Sequence, residues 1–229
     1  MVFYAYISET RDDNTWRIVM AFADSSTADE WWRAISGSNN SLLADIRRVT
    51  PEMYIHNAAV FNVYNFFIDT RITDISQKFK GRLILTLQND RGGRGINIFP
   101  KQRVTDLVSG NWFYIRSSVD PEMYWHYETK GGYPRISVSR TGRSLFCVTA
   151  TNVPSRTVMI GSDTVKLSMW SAGNVVIDSE GLLTNGVQAQ WSFTFGDLAA
   201  GRFVPTDSGL LFDNIDNDGP KRPGWELVN

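Results

Sequence analysis

Apolar and polar residues alternate in short runs along most of the chain. A period of two predicts β-strands with one buried face. Phe3 to Ile7 and Trp16 to Phe22 are two such runs, and the polar stretch Arg11-Asp12-Asp13-Asn14 between them predicts a hairpin. The period then changes over Asp24-Ser25-Ser26-Thr27-Ala28-Asp29-Glu30-Trp31-Trp32-Arg33-Ala34-Ile35. Ser26 with Asp29 reads as a capping box, acids fill the first turn, and Trp31, Ala34 and Ile35 share one helical face. Gly37 is the stop. Thr50-Pro51-Glu52 reads as a second helix start, with Thr as cap and Pro in the first helical position. Ala59 to Ile68 is apolar nearly throughout, so period alone leaves strand and helix open there. Thr73 to Lys80 predicts a short helix ended by Gly81. Arg82 to Gln88 alternates again, meets the Gly-rich Asn89 to Gly95, and returns as Ile96 to Phe99, which predicts a second hairpin.

From about residue 110 helical signals vanish. Short β runs recur with turns between them: Trp112 to Arg116, Met123 to Glu128, Arg135 to Arg140, Leu145 to Thr149, Val158 to Gly161, Val165 to Trp170, Asn174 to Asp178, Trp191 to Phe195, Arg202 to Val204, Leu210 to Phe212 and Trp225 to Val228. Regular short strands with Gly turns predict a sandwich or a barrel. The expected fold is therefore mainly β and α+β overall. It comprises an α+β part over 1–107 and an all-β part over 108–229, packed separately or as one unit.

Leu145-Phe146-Cys147-Val148, Trp191-Ser192-Phe193-Thr194-Phe195 and Trp225-Glu226-Leu227-Val228 recur at unequal intervals as three aromatic-containing strands, and Gln190-Trp191 stands before one of them. With these features, residues 108–229 resemble a β-trefoil of the ricin-B type, which implies a threefold barrel; a β-sandwich is the alternative. The whole chain is similar to a family of uncharacterised proteins of mushroom-forming fungi. That similarity rests on Glu30-Trp31-Trp32-Arg33-Ala34, on Asn65-Phe66-Phe67 with Asp69-Thr70-Arg71-Ile72-Thr73-Asp74-Ile75, and on Asn89-Asp90-Arg91-Gly92-Gly93, Tyr124-Trp125 and Trp225-Glu226-Leu227-Val228. It implies a fungal source, in which small Cys-poor β proteins serve as lectins, inhibitors or toxins, and it brings no assigned activity.

Composition narrows the function classes. Twenty-three basic and 24 acidic residues in 229 give a formal net charge of -1, with no long block of one sign. Nucleic acid is accordingly not expected as a partner. Cys147 is the single cysteine, so no intrachain disulfide forms. The N-terminus lacks a basic segment followed by an apolar one, and no apolar run reaches the ~20 residues of a membrane helix. These features predict a cytoplasmic protein, or one released by a non-classical route, with no membrane span.

Candidate chemistry is sparse. The histidines, His56 and His126, are far apart, and one cysteine cannot complete a structural zinc set. No Gly-x-Ser-x-Gly elbow is present. Cys147 in an apolar run reads as a buried, inert thiol. The glycines of Asn89 to Gly95 could form an anion nest, but no phosphate-loop pattern accompanies them. Asn214 to Gly219 places oxygen ligands as a calcium loop does, yet Trp225 occupies the position of the bidentate Glu; Asp213 and Asp216 remain candidates for a looser site in a β loop. No catalytic residue, metal or cofactor is expected.

Aromatic side chains are the informative surplus. Trp112, Phe113, Tyr114, Tyr124, Trp125, His126 and Tyr127 are concentrated in two neighbouring runs. Alternation puts Tyr124 and His126 on one strand face and Trp125 and Tyr127 on the other. A face turned to solvent would suit sugar stacking or a protein interface. The candidate ligand-binding residues are therefore Tyr124, Trp125, His126, Trp112, Asp213 and Asp216. The expected function is non-enzymatic, lectin-like recognition of a carbohydrate or glycoprotein. The alternatives are a homo-oligomeric assembly protein and an enzyme whose aromatic-lined pocket uses His126 or His56.

Overall fold

Alternating burial turns the sequence pattern into sheets in both halves of the chain. A computed structural model describes residues 1–10, 17–88, 106–187, 189, 191–213 and 222–229. The first turn at 11–14, Trp16, the Gly-rich stretch with its return strand, Gln190 and the calcium-like loop at 214–219 lie outside the described residues. The chain divides into two units, Met1–Asp106 and Leu107–Asn229. It is mostly β, with several sheets, none of which closes into a barrel among the described residues; the layers fit a sandwich-like arrangement.

The first unit contains β1 (Phe3–Glu9), β2 (Ile18–Phe22), α1 (Ser25–Ser36), β3 (Arg47–Thr50), β4 (Met53–His56), α2 (Thr73–Ser76) and β5 (Leu83–Leu87). Its sheet has the order β3-β4-β1-β2-β5, with β1 and β4 parallel and the other neighbours antiparallel. Ile18, Met20 and Phe22 are fully buried, as the period of β2 requires.

Helix α1 forms where expected, with a different cap. Asp24 accepts the Thr27 N–H at 2.7 Å and the Thr27 hydroxyl at 2.8 Å. Asp29 is thereby left free to turn inward, and its carboxylate lies 2.8 Å from Arg48 Nη1. Gly37 donates to the Arg33 carbonyl and ends the helix. Trp31 is the centre of the core, with ring centroids 5.4 Å from Tyr54, 5.7 Å from Phe22 and 6.0 Å from Phe66.

Two predicted elements differ. Thr50-Pro51 does not start a helix; it turns the chain from β3 into β4, where Tyr54 and His56 are buried. A partner strand for β1 is worth more than a short isolated helix, because it satisfies a whole row of backbone groups. The apolar run from Ala59 breaks into turns because Asn62 and Asp69 accept the N–H groups of Tyr64 and Arg71. The Thr73 to Lys80 helix splits into α2 and a 3-10 turn over Gln77–Phe79.

The second unit contains β6 (Asn111–Ser117), β7 (Tyr124–Lys130), β8 (Tyr133–Ser139), β9 (Leu145–Ala150), β10 (Thr164–Met169), β11 (Gly173–Ile177), β12 (Leu183–Asn185), β13 (Phe193–Thr194), α3 (Phe195–Ala199), β14 (Phe203–Thr206), β15 (Gly209–Phe212) and β16 (Trp225–Val228). The main path is β12-β11-β10-β9-β6-β7-β8, with β13 on β10 and β16 on β6. β14 and β15 make a separate hairpin. The end strands β12 and β8 meet through a side chain, Thr184 Oγ1 donating to the Pro134 carbonyl at 2.7 Å, and not through a ladder.

The three aromatic-containing strands expected to close three equivalent repeats do not hold equivalent places. β9 and β16 both pair with β6, whereas Phe193–Thr194 pairs with β10. The third run is also cut short, because α3 starts inside it. Asp197 Oδ2 accepts the Thr194 N–H at 2.6 Å and the Thr194 hydroxyl at 2.9 Å, which fixes the first turn of a helix that strand-like composition hid. Val158 makes a single bridge to Val108 and not a strand.

Candidate functional site

Strand parity in the second unit sorts the aromatic surplus into an inner set and an outer set. On β6, Phe113, Ile115 and Ser117 are buried, so Trp112, Tyr114 and Arg116 face outward. On β9, Phe146, Val148 and Ala150 are buried, so Leu145, Cys147 and Thr149 face outward. Register brings the outer residues side by side. Trp112 lies opposite Cys147, Tyr114 opposite Leu145, Arg116 opposite Tyr124, and Cys147 opposite Ser168 of the next strand.

The result is an aromatic strip on the outer face. Trp170 follows β10 and is 90% exposed, and its ring centroid is 6.3 Å from that of Trp112 at an interplanar angle of 59°. Leu145 is 41% exposed. Tyr114 and Tyr124 meet edge to face at 6.4 Å. The Arg143 guanidinium covers both tyrosines, 4.4 Å from the Tyr114 centroid and 5.7 Å from that of Tyr124. Arg116 ends the strip in an ion pair with Glu226, 2.5 Å from nitrogen to oxygen. This pair raises the Arg116 pKa further, through the hydrogen bonds that Arg116 donates to the Glu226 carboxylate.

Trp112, Tyr124 and His126, all singled out in the sequence, share this face, but they are not equally open. Gly142 lies against the His126 ring: a Cβ there would fall 2.7 Å from Cε1 and 2.8 Å from Nδ1. The loop after β8 therefore covers the imidazole. It is held there by Ser144, whose N–H donates to the Trp125 carbonyl and whose hydroxyl accepts the Tyr127 N–H.

Trp125 is not a surface residue. It is fully buried, with ring centroids 5.1 Å from Phe203, 5.8 Å from Trp225 and 5.9 Å from Phe146. Its odd parity relative to Tyr124 sends it into the core, so it supports the outer face from beneath. Cys147 has the opposite correction. It is half-buried on the outer face, with its thiol donating to the Gly110 carbonyl at 3.4 Å. Asp213 follows β15 and belongs to that separate hairpin; Arg222 Nη1 donates to its Oδ2 at 2.6 Å. Asp216 lies outside the described residues. Trp170 ends the Val165 to Trp170 run in the sequence, and its exposure beside Trp112 is a property of the folded sheet.

His56 is a core residue. It is fully buried, and its Nδ1 accepts the Val63 N–H at 3.4 Å. In the same unit burial pushes Asp29 up to about 6, while Arg48 pulls it the other way. Burial likewise raises the Tyr54 phenol. Arg48 Nε, Tyr54 OH and Trp31 Nε1 are buried without a protein hydrogen-bond partner among the described residues. Among the described residues no cluster of three His, Cys, Asp or Glu is placed to hold a metal. None of the described helices is long and apolar enough to cross a membrane.

No family model matches the chain, and no curated protein matches it. Among solved structures it is similar to the "Crystal structure of lysenin pore", with 12% identity, a TM-score of 0.29, and 64% of this chain aligned to 59% of that one. The chain thus spans less than two thirds of that neighbour.

Proposed function

We propose that the protein is a non-enzymatic binding protein and that its second unit recognises a carbohydrate or glycoprotein through the outer aromatic strip. The observation that carries this reading is the Trp170–Trp112 pair, one ring 90% exposed and the other 6.3 Å away. Exposed indoles lose water at little cost and offer a flat face to the C–H side of a sugar ring. Thr149 and Ser168 on the same face, with Arg143, supply hydroxyl and cationic partners for sugar hydroxyls. A glycan array followed by titration of the tightest glycoside tests the proposal. Saturable binding that weakens about tenfold in Trp170→Ala supports it. Absence of binding at millimolar sugar overturns it.

A second reading is a homo-oligomer joined through the same face. Leu145, 41% exposed beside Tyr114, favours it, since an aliphatic centre rimmed by aromatics suits a protein partner. Light scattering that gives a strict monomer over a wide concentration range removes this reading. The proposal also carries a fungal source and a non-oxidising compartment, supported by the sequence motifs named above and by the single Cys147.

A further inference from the structure

Away from the strip, the turn after β11 faces a second partly exposed tryptophan. Ser179, Glu180, Gly181, Trp191 and Phe212 line a shallow pocket. Trp191 is 47% exposed and Phe212 is 8% exposed, so one indole stands at the rim and a phenyl ring forms the floor. Glu180 and Ser179 are exposed polar residues that line the same depression.

The pocket walls are held by backbone hydrogen bonds together with the Asp178 carboxylate. Asp178 Oδ1 accepts the N–H groups of Glu180 and Leu182, each at 2.9 Å. The Gly181 N–H donates to the Asp178 carbonyl, and the Asp178 N–H donates to the Leu182 carbonyl. The Phe212 N–H donates to the Gly181 carbonyl at 2.7 Å, which ties the turn to β15. Leu182 bridges Leu211, and Ile177 bridges Trp191, so the rim tryptophan is registered to the residue just before the turn. Gly181 has φ +83, and a Cβ there would sit 3.2 Å from Leu211 Cδ1 and 3.3 Å from the Phe212 carbonyl. A glycine is needed to bring the turn this close to the floor.

We propose that this pocket is a second carbohydrate subsite, taking one pyranose ring against Trp191, with vicinal hydroxyls donating to the Glu180 carboxylate. The proposal deepens the carbohydrate reading and rests on it, but it uses none of the strip residues. The chemistry follows from the lining. An indole beside an apolar floor favours the axial C–H face of a sugar. A carboxylate has two oxygens and accepts from two neighbouring hydroxyls at once. A fixed turn loses little entropy on binding. A pocket this shallow covers a single ring, so the affinity expected is millimolar, and its use is to add a second point of attachment to a branched or multivalent glycan.

The test uses the full chain labelled with 5-fluorotryptophan, with each resonance assigned by single Trp→Phe substitution. Methyl glycosides of glucose, galactose, mannose and N-acetylglucosamine are titrated to ~50 mM, a range that covers millimolar binding. The expected result is a saturable shift of the Trp191 signal with at least one glycoside. It persists in the Trp112→Ala/Trp170→Ala double variant and weakens about tenfold in Glu180→Gln, where the charged acceptor is lost. Glu180 is exposed, so this change leaves the fold intact. If the Trp112 and Trp170 signals shift while Trp191 stays still with every glycoside, the second subsite is overturned and the strip reading stands. If Trp191 shifts equally in wild type and Glu180→Gln, the carboxylate role is overturned. If no tryptophan signal moves, both readings fail.

Discussion

The two units use the same residue type in opposite ways. In the first, the described tryptophans are packed: Trp31 is fully buried, and Trp32 lies against the core. In the second, Trp125 and Trp225 fill the core while Trp170 and Trp191 face solvent, 90% and 47% exposed. The first unit instead places its unusual chemistry inside, as the Asp29–Arg48 pair beside Tyr54. A single exposed indole is ordinary, but Trp170 is paired with Trp112 in a contiguous aromatic strip, and such a patch marks a contact surface. The proposed binding function rests on this exposed set in the second unit.

The largest expected effect tests whether both cores depend on their central indole. Trp125→Ala and Trp31→Ala each remove a fully buried ring, so each should cost about 3–5 kcal/mol, read by urea denaturation followed by near-ultraviolet circular dichroism. A cost below about 1 kcal/mol for either would break the symmetry of the two cores.

The next effect separates the units by pH. Asp29 is raised from 3.8 to about 6 in the folded state. Between those values the native state binds more protons than the unfolded one. The contribution of Asp29 to the stability of the first unit is therefore fully present below about pH 4 and is lost as pH rises through 6, by an amount on the order of 2–3 kcal/mol. Hydrogen-exchange protection of β1 and β2, corrected for intrinsic rates, should fall over that window. Asp29→Asn should flatten the dependence. Unchanged dependence in that variant would remove Asp29 as its source.

A smaller effect concerns α3. Thr194→Ala removes the hydroxyl that Asp197 binds and should cost about 1 kcal/mol, seen as a lowered midpoint with unchanged slope. The smallest is Trp170→Ala. With its side chain in solvent, stability should change by less than about 0.5 kcal/mol, even though binding falls.

Much of the second unit was legible because alternation has one reading in a half-buried strand. Parity alone places Tyr124 and His126 on one face of their strand and Trp125 and Tyr127 on the other; that Trp112 joins the first pair follows from the register of the assembled sheet. Parity cannot say which face is the core, so Trp125 reads as a surface candidate in the sequence, and the apolar run around Cys147 makes that thiol read as buried. Each follows from whether Phe113 and Phe146 point inward, a property of the assembled sheet. Helix α3 was hidden because Phe193-Thr194-Phe195 has strand composition and the deciding capping bond comes from Asp197. In the first unit, α1 was legible from its period, while its cap shifted to Asp24 because Asp29 has a buried partner in Arg48. No local pattern announces a partner so far along the chain. The strip itself was legible only in part, since Trp170 and Arg143 join it from turns whose direction the sequence does not encode.

The most direct measurement of the central claim is isothermal titration of the tightest glycoside from the array into wild type and Trp170→Ala, with melting temperatures taken in parallel. Recognition through the Trp170 indole predicts a dissociation constant raised about tenfold at an unchanged melting temperature. Equal dissociation constants in the two proteins would contradict it.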